Sequence, residues 1–145
     1  MAFLSSMDIT SSALTAQRLR MDVVAENVAN IQTTRTAEGE PYRRRYVIFQ
    51  AKEHMSFTDS LNHSIAGTAG TGVRVTEILE DQSPFTLDYN PSHPDADEFG
   101  YVQMPNVELS REMVDMMSST RSYEANITVL NSVKSMAMKA LEIGK

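Results

Sequence analysis

The residues able to do chemistry are few and poorly grouped. His54, His63 and His93 are the only imidazoles in the 145 residues, and no two have the spacing that places a pair of metal ligands on one helix face. His93 with Asp95, Asp97 and Glu98 has the ligand types for zinc or a hard cation. These four lie in a proline-rich stretch that matches no calcium-loop spacing, so a solvated acidic turn is expected there. Gly67, Gly70 and Gly72 resemble a phosphate cradle, but a strand-like Val73-Arg74-Val75 follows where a dinucleotide fingerprint needs a helix. A flexible loop is the reading that remains. Asn62-His63-Ser64 and Asn126-Ile127-Thr128 fit the glycosylation acceptor pattern. The second falls inside a helical stripe, and both are read as chance. With no cysteine, a disulfide framework, a thiolate metal site and a cysteine nucleophile are excluded. No catalytic residue, metal ligand or cofactor is assigned.

Charge narrows the choice of partner. Lys and Arg number 13 against 19 Asp and Glu, a net charge of −6, which disfavours nucleic acid, whose binding depends on neutralising phosphates. Arg43, Arg44 and Arg45 between Tyr42 and Tyr46 therefore suggest a surface for an acidic protein, or a solvated sheet face, ahead of a nucleic-acid patch. The ten methionines include Met113, Met116, Met117, Met136 and Met138, whose helical spacing suggests an adaptable packing face. No run approaches the roughly 20 apolar residues of a membrane span. The first 20 residues, broken by Ser5, Ser6, Asp8, Ser11, Ser12 and Gln17, lack the apolar centre of a signal peptide.

Three zones must position whatever function there is. Residues 5–31 and 106–143 contain neither Gly nor Pro, whereas residues 32–105 hold five of the six glycines and all five prolines. Two long terminal helices around a short middle segment follow. The division is 1–34 for the N-terminal helix, 35–105 for a β-rich or irregular middle with a flexible loop near 51–72, and 106–145 for the C-terminal helix. Runs rich in β-branched and aromatic residues at 42–49, 73–79, 85–89 and 101–104 predict short strands. Asn106 is placed to cap the last helix and Gly144 to end it.

Counting in sevens gives Met7, Leu14, Met21 and Val28 in the first helix, with Thr10, Gln17, Val24 and Ile31 three residues on. In the last helix Met113, Thr120, Ile127, Lys134 and Leu141 pair with Met116, Tyr123, Leu130 and Ala137, a coiled-coil-like stripe broken only at Thr120 and Lys134. Helices of roughly 40 and 55 Å cannot bury such stripes on a small middle segment. They must pair with each other or with other chains, and their ends are expected to be poorly ordered in the free monomer. Asn27 and Asn30 are placed to satisfy backbone groups at a helix end or in a neighbouring chain, while Arg121, Tyr123, Glu124 and Asn126 offer directional hydrogen bonds around the stripe. The candidate assembly and helix-packing residues are Leu14, Met21, Val24, Asn27, Val28, Asn30 and Ile31, with Met113, Met116, Arg121, Tyr123, Asn126, Ile127, Leu130, Ala137 and Leu141. The fold class is mainly α with a small β-rich middle. A cytoplasmic coiled-coil adaptor and a small hydrolase or metal enzyme using the His93 loop are the rival readings.

The same residues carry a resemblance. Residues 13–22 followed by Asn27-Val28-Ala29-Asn30-Ile31-Gln32-Thr33-Thr34 resemble the N-terminal motif of bacterial flagellar rod and hook proteins. Glu112-Met113-Val114-Asp115-Met116 with Arg121-Ser122-Tyr123-Glu124-Ala125-Asn126 is similar to the matching C-terminal motif. Residues 90–96, 100–107 and 134–141 are similar to the short proximal rod type, and residues 53–71 match nothing. The continuation Arg35-Thr36 lacks the Thr-Pro-Gly-Tyr of many hook and distal-rod relatives, which suits the proximal type. The resemblance implies a structural subunit of the drive shaft in the basal body, located in the periplasmic space and exported by the flagellar type III apparatus without a cleaved signal. It also implies the partners: other rod proteins, the adaptor that joins the rod to the membrane ring, and neighbouring copies.

Overall fold

The computed structural model describes residues 2–52 and 72–143. Most of the expected flexible loop at 51–72, with His54, His63, Gly67 and Gly70, lies outside the described residues, as does Gly144. The order is α1 (Ala2–Ala29), β1 (Arg45–Ala51), β2 (Val73–Glu80), β3 (Thr86–Tyr89), β4 (Tyr101–Met104) and α2 (Leu109–Ile143). The fold is mainly α, with two antiparallel hairpins between long terminal helices, as the distribution of Gly and Pro predicts. At 28 and 35 residues the helices run about 42 and 52 Å.

α1 packs against both α2 and the β1–β2 hairpin, while no Cα of β3 or β4 comes within 8 Å of one in either helix. Contacts of Asn27 with Glu112 and of Arg20 with Asp115 put the end of α1 against the start of α2, so the helices are antiparallel. The buried apolar core is thin. Ala16, Val23 and Val24 on α1 and Val133 on α2 join Tyr42 and Val102 from the middle segment.

α1 ends where Asn30 turns its side chain back on the helix. Its Nδ2 donates to the Glu26 carbonyl at 2.9 Å, and its Oδ1 accepts from Thr33 Oγ1 at 3.1 Å. α2 starts later than Asn106 would place it. The Glu108 carbonyl accepts the Glu112 amide at 3.0 Å and opens the helix, so the expected Asn106 cap is corrected. Asn106 is instead a clip between strands. Its Oδ1 accepts the Arg44 amide at 2.8 Å, and its Nδ2 donates to the carbonyls of Asp81 and Ser83 at 2.9 and 3.2 Å.

β1 and β2 pair from Arg45↔Glu80 to Ala51↔Val73, with a bulge between Ile48 and Phe49 that skips Thr76. The hairpin is pinned to α1 by Ser12, whose Oγ donates to the Ile9 carbonyl and accepts the Val73 amide at 3.1 Å. Gly72 makes that approach feasible. Its φ is +102°, and a Cβ there would collide with Ser12 Oγ.

Candidate functional site: a buried polar clasp and the helix faces

Where α1, α2 and the start of β1 meet, the core is polar. Asn27 and Glu112 are both 0% exposed and Arg44 is 7% exposed. The Asn27 amide makes four hydrogen bonds. Its Nδ2 donates to the Arg45 carbonyl at 2.8 Å and to Glu112 Oε2 at 2.9 Å. Its Oδ1 accepts the Arg45 amide at 2.9 Å and the Tyr42 hydroxyl at 3.0 Å. In bonding the Arg45 backbone on both sides, Asn27 acts as one more rung of β1 supplied by a helix.

Glu112 completes the clasp from α2. Its Oε1 accepts from Arg44 Nε at 2.6 Å. Arg44 continues to Asp115 Oδ2 at 3.2 Å and lies 3.9 Å from Asp81 Oδ2. Arg20 on α1 reaches Asp115 Oδ1 at 3.0 Å. Each buried charge has an opposite charge in contact, the condition under which such groups are tolerated in a core. Burial, and then the Glu26 carboxylate, push the Tyr42 phenol up to about 12, with Arg45 opposing. Hydrogen bonds from the Ser83 hydroxyl and amide, helped by Arg44, hold Asp81 below its usual value.

The three consecutive arginines therefore do not form a shared surface for an acidic partner. Arg44 is inside the clasp. Arg43 stacks over Phe85 at 4.3 Å, and Arg45 lies over Tyr42 at 5.8 Å while pairing with Glu26 and Glu80. In the acidic loop His93 Nδ1 accepts the Asp95 amide, and Asp95 accepts the Thr34 hydroxyl at 2.8 Å. Among the described residues no three His, Asp or Glu side chains converge to hold a metal ion.

The packed face of α2 differs by one residue from the apolar count. Its buried or half-buried positions are Glu112, Asp115, Met116, Ser119, Thr120, Ser122, Tyr123, Asn126, Leu130, Val133 and Ala137. The column Met116, Tyr123, Leu130 and Ala137 lies on this face. Met113, Ile127 and Leu141, 57%, 37% and 75% exposed, lie off it. The true second column contains Glu112, Ser119 and Asn126, polar side chains that an apolar count passes over. Glu112 is satisfied by the clasp, while Ser119 and Asn126 bond back to the Asp115 and Ser122 carbonyls. On α1, Val24 and Asn27 are buried and Leu14, Met21 and Val28 are half-buried, as are Asn30 and Ile31 in the turn that follows it. Met21 accepts the Thr120 hydroxyl at its sulfur. Arg121 is exposed.

An apolar groove of about 470 Å³ runs between the end of α1 and the start of α2, lined by Ala25, Val28, Ala29, Met113, Met116 and Met117 above the buried Glu112. Beyond it α2 exposes Val114, Val129, Met136 and Met138. Sequence reasoning found the helix-end asparagines but missed Arg20, Tyr42, Arg44, Asn106, Glu112 and Asp115 as members of one cluster. The only linear signal was a carboxylate, Glu112, set against a methionine-rich stripe.

A long antiparallel helix pair, locked at one end and apolar on its outer flanks, is the build of a subunit that packs against other chains. The relatives agree. The family model described as "Flagella basal body rod protein" matches residues 7–35, and that described as "Flagellar basal body rod FlgEFG protein C-terminal" matches residues 99–143. "Flagellar basal-body rod protein FlgC" of Bacillus subtilis is 56% identical, with 97% of each chain covered. Its namesake in Borreliella burgdorferi is 48% identical over 99% of this chain and 98% of that one, and the one in Escherichia coli O157:H7 is 45% identical over all of both. The chain belongs to the FlgC family of flagellar basal-body rod proteins.

Proposed function

We propose that this chain is a structural subunit of the proximal rod of the bacterial flagellar basal body. Its terminal helices polymerise into a tube that transmits torque and walls the export channel, and it carries out no reaction. The observation that carries this reading is the apolar groove together with the exposed methionine, valine and leucine side chains of α2. The groove, with the exposed Met113 and Met117 in its lining, is apolar surface of the kind found at contact sites. Both family matches overlap the two helices that bear it.

The partners that follow are the other rod proteins, the adaptor that joins the rod to the membrane ring, neighbouring copies, and the type III export apparatus. The location is the periplasmic part of the basal body, reached without a cleaved signal peptide. No described helix is long and apolar enough to cross a membrane. Electron microscopy of cells lacking the gene, beside a complemented control, tests the reading. Loss of rod, hook and filament with the membrane ring retained is expected, and normal flagella in the deletion would overturn it.

A further inference from the structure

The negative charge of the chain is concentrated in one part. Residues 75–110 contain eight carboxylates and neither Lys nor Arg, while the rest holds all 13 cations and the other 11 carboxylates. Within that acidic stretch the β3–β4 hairpin has two unlike faces. Val102 is 1% exposed, whereas Leu87, Tyr89 and Tyr101 on the opposite face, with Phe99 in the turn, stand in solvent, Phe99 at 79% and Tyr89 at 64%. Tyr89 and Tyr101 are cross-strand partners whose rings meet edge to face at 5.3 Å. The turn before β4 is braced from inside, because Asp97 Oδ1 accepts the amides of Phe99 and Tyr101 at 2.9 and 2.8 Å. The result is a preorganised aromatic platform with the exposed carboxylate of Glu98 beside it.

The complementary surface is on α2. Val114, Met117 and Arg121, at i, i+3 and i+7, form an exposed ridge on one helix face. The nearby carboxylates Glu112 and Asp115 are directed to Arg44 and Arg20, so the charges left on this face are Arg121, beside Val114 and Met117, and the exposed Glu124 one turn further on. No Cα of β3 or β4 comes within 8 Å of a Cα of α2 in the same chain. One chain therefore presents an acidic aromatic face and a methionine–valine ridge ending in the cation Arg121, each without the other.

Resting on the rod-subunit reading, we propose that the outer face of the β3–β4 hairpin docks on the Val114–Met117–Arg121 ridge of a second copy. Phe99 and Tyr101 cover the apolar side chains, a favourable arrangement for a thioether against aromatic rings, and Glu98 faces Arg121. Because two different surfaces meet, each docked copy still offers one free surface of each kind. A contact of this heterologous type propagates instead of closing into a two-fold dimer.

The test uses cells lacking the gene and complemented with full-length variants, scored by swimming and by rod assembly. Glu98→Lys and Arg121→Glu should each reduce swimming several-fold, and Glu98→Lys/Arg121→Glu, which restores opposite charges across the contact, should recover most of it. Phe99→Ser should reduce swimming with no rescue by Arg121→Glu. Urea unfolding of the purified variants should match the parent, since all three side chains are exposed. Parental swimming in either single reversal would overturn the contact, and so would loss in both singles with no recovery in the double variant, which would put different proteins opposite the two surfaces. Neither result touches the rod reading, which stands or falls on the deletion phenotype.

Discussion

Glu112→Ala is the perturbation that most directly probes how the terminal helices are locked. Glu112 is wholly buried, accepts from Arg44 Nε at 2.6 Å, and takes one of the two Asn27 Nδ2 hydrogen bonds. Removing one member of a buried ion pair costs about 3–5 kcal/mol when the other charge is left alone. Arg44 would not be left alone, because Asp115 stays at 3.2 Å and Asp81 at 3.9 Å. That retained contact lowers the ionic share to about 2–3 kcal/mol. Asn27 keeps the Arg45 carbonyl and loses a single acceptor, which adds about 1 kcal/mol. The expected loss is therefore about 3–4 kcal/mol, a large part of the roughly 5–15 kcal/mol that holds a domain folded. Reversible urea unfolding followed by circular dichroism measures it. A paired Arg44→Met/Glu112→Met variant should recover to within about 1–2 kcal/mol of the parent, because no charge is then stranded. A loss under about 1 kcal/mol for Glu112→Ala would refute the reasoning, since it would mean that water or a rearranged Arg44 satisfies the site without Glu112.

Three further outcomes follow from named contacts. Gly72→Ala should lower stability by about 1–3 kcal/mol, through its left-handed backbone and the collision with Ser12; an unchanged unfolding midpoint would show that the hairpin can lift off α1 without cost. The Tyr42 phenol is raised to about 12 against an unfolded value of 10.0. Its contribution is thus fully present below pH 10.0 and is lost as the pH rises towards about 12, a sensitivity on the order of 2 kcal/mol that Tyr42→Phe should remove from alkaline unfolding curves. Leu130→Asp, which puts a charge on the packed face of α2, should abolish swimming, while His93→Ala should leave it intact; equal swimming in both would count against assembly through the helices.

Much of the architecture was legible because it depends on local chemistry. Freedom from Gly and Pro over residues 5–31 and 106–143 is enough to propagate helices, and the β-branched and aromatic runs marked the four strands among the described residues. The residues carrying the family resemblance lie in those same helices, their flanks and the β3–β4 hairpin. The clasp was not legible, because Asn27, Arg44 and Glu112 are separated by 17 and 68 residues and only the antiparallel docking of α1 on α2 brings them together. Glu112 even disguised the packed face, since an apolar count passes over a buried carboxylate and selects the neighbouring Met113 column.

By itself, then, the sequence determined the helix–middle–helix order, the absence of thiol chemistry, and a surplus of apolar helix surface that a chain of this size cannot bury alone. The tertiary structure decided which column of α2 turns inward, and that Arg44 is a core residue while Arg45 is not. The physical reason is that helix formation depends on neighbours within a few residues, whereas burial of a charge depends on whether a partner from a distant segment meets it at hydrogen-bond distance.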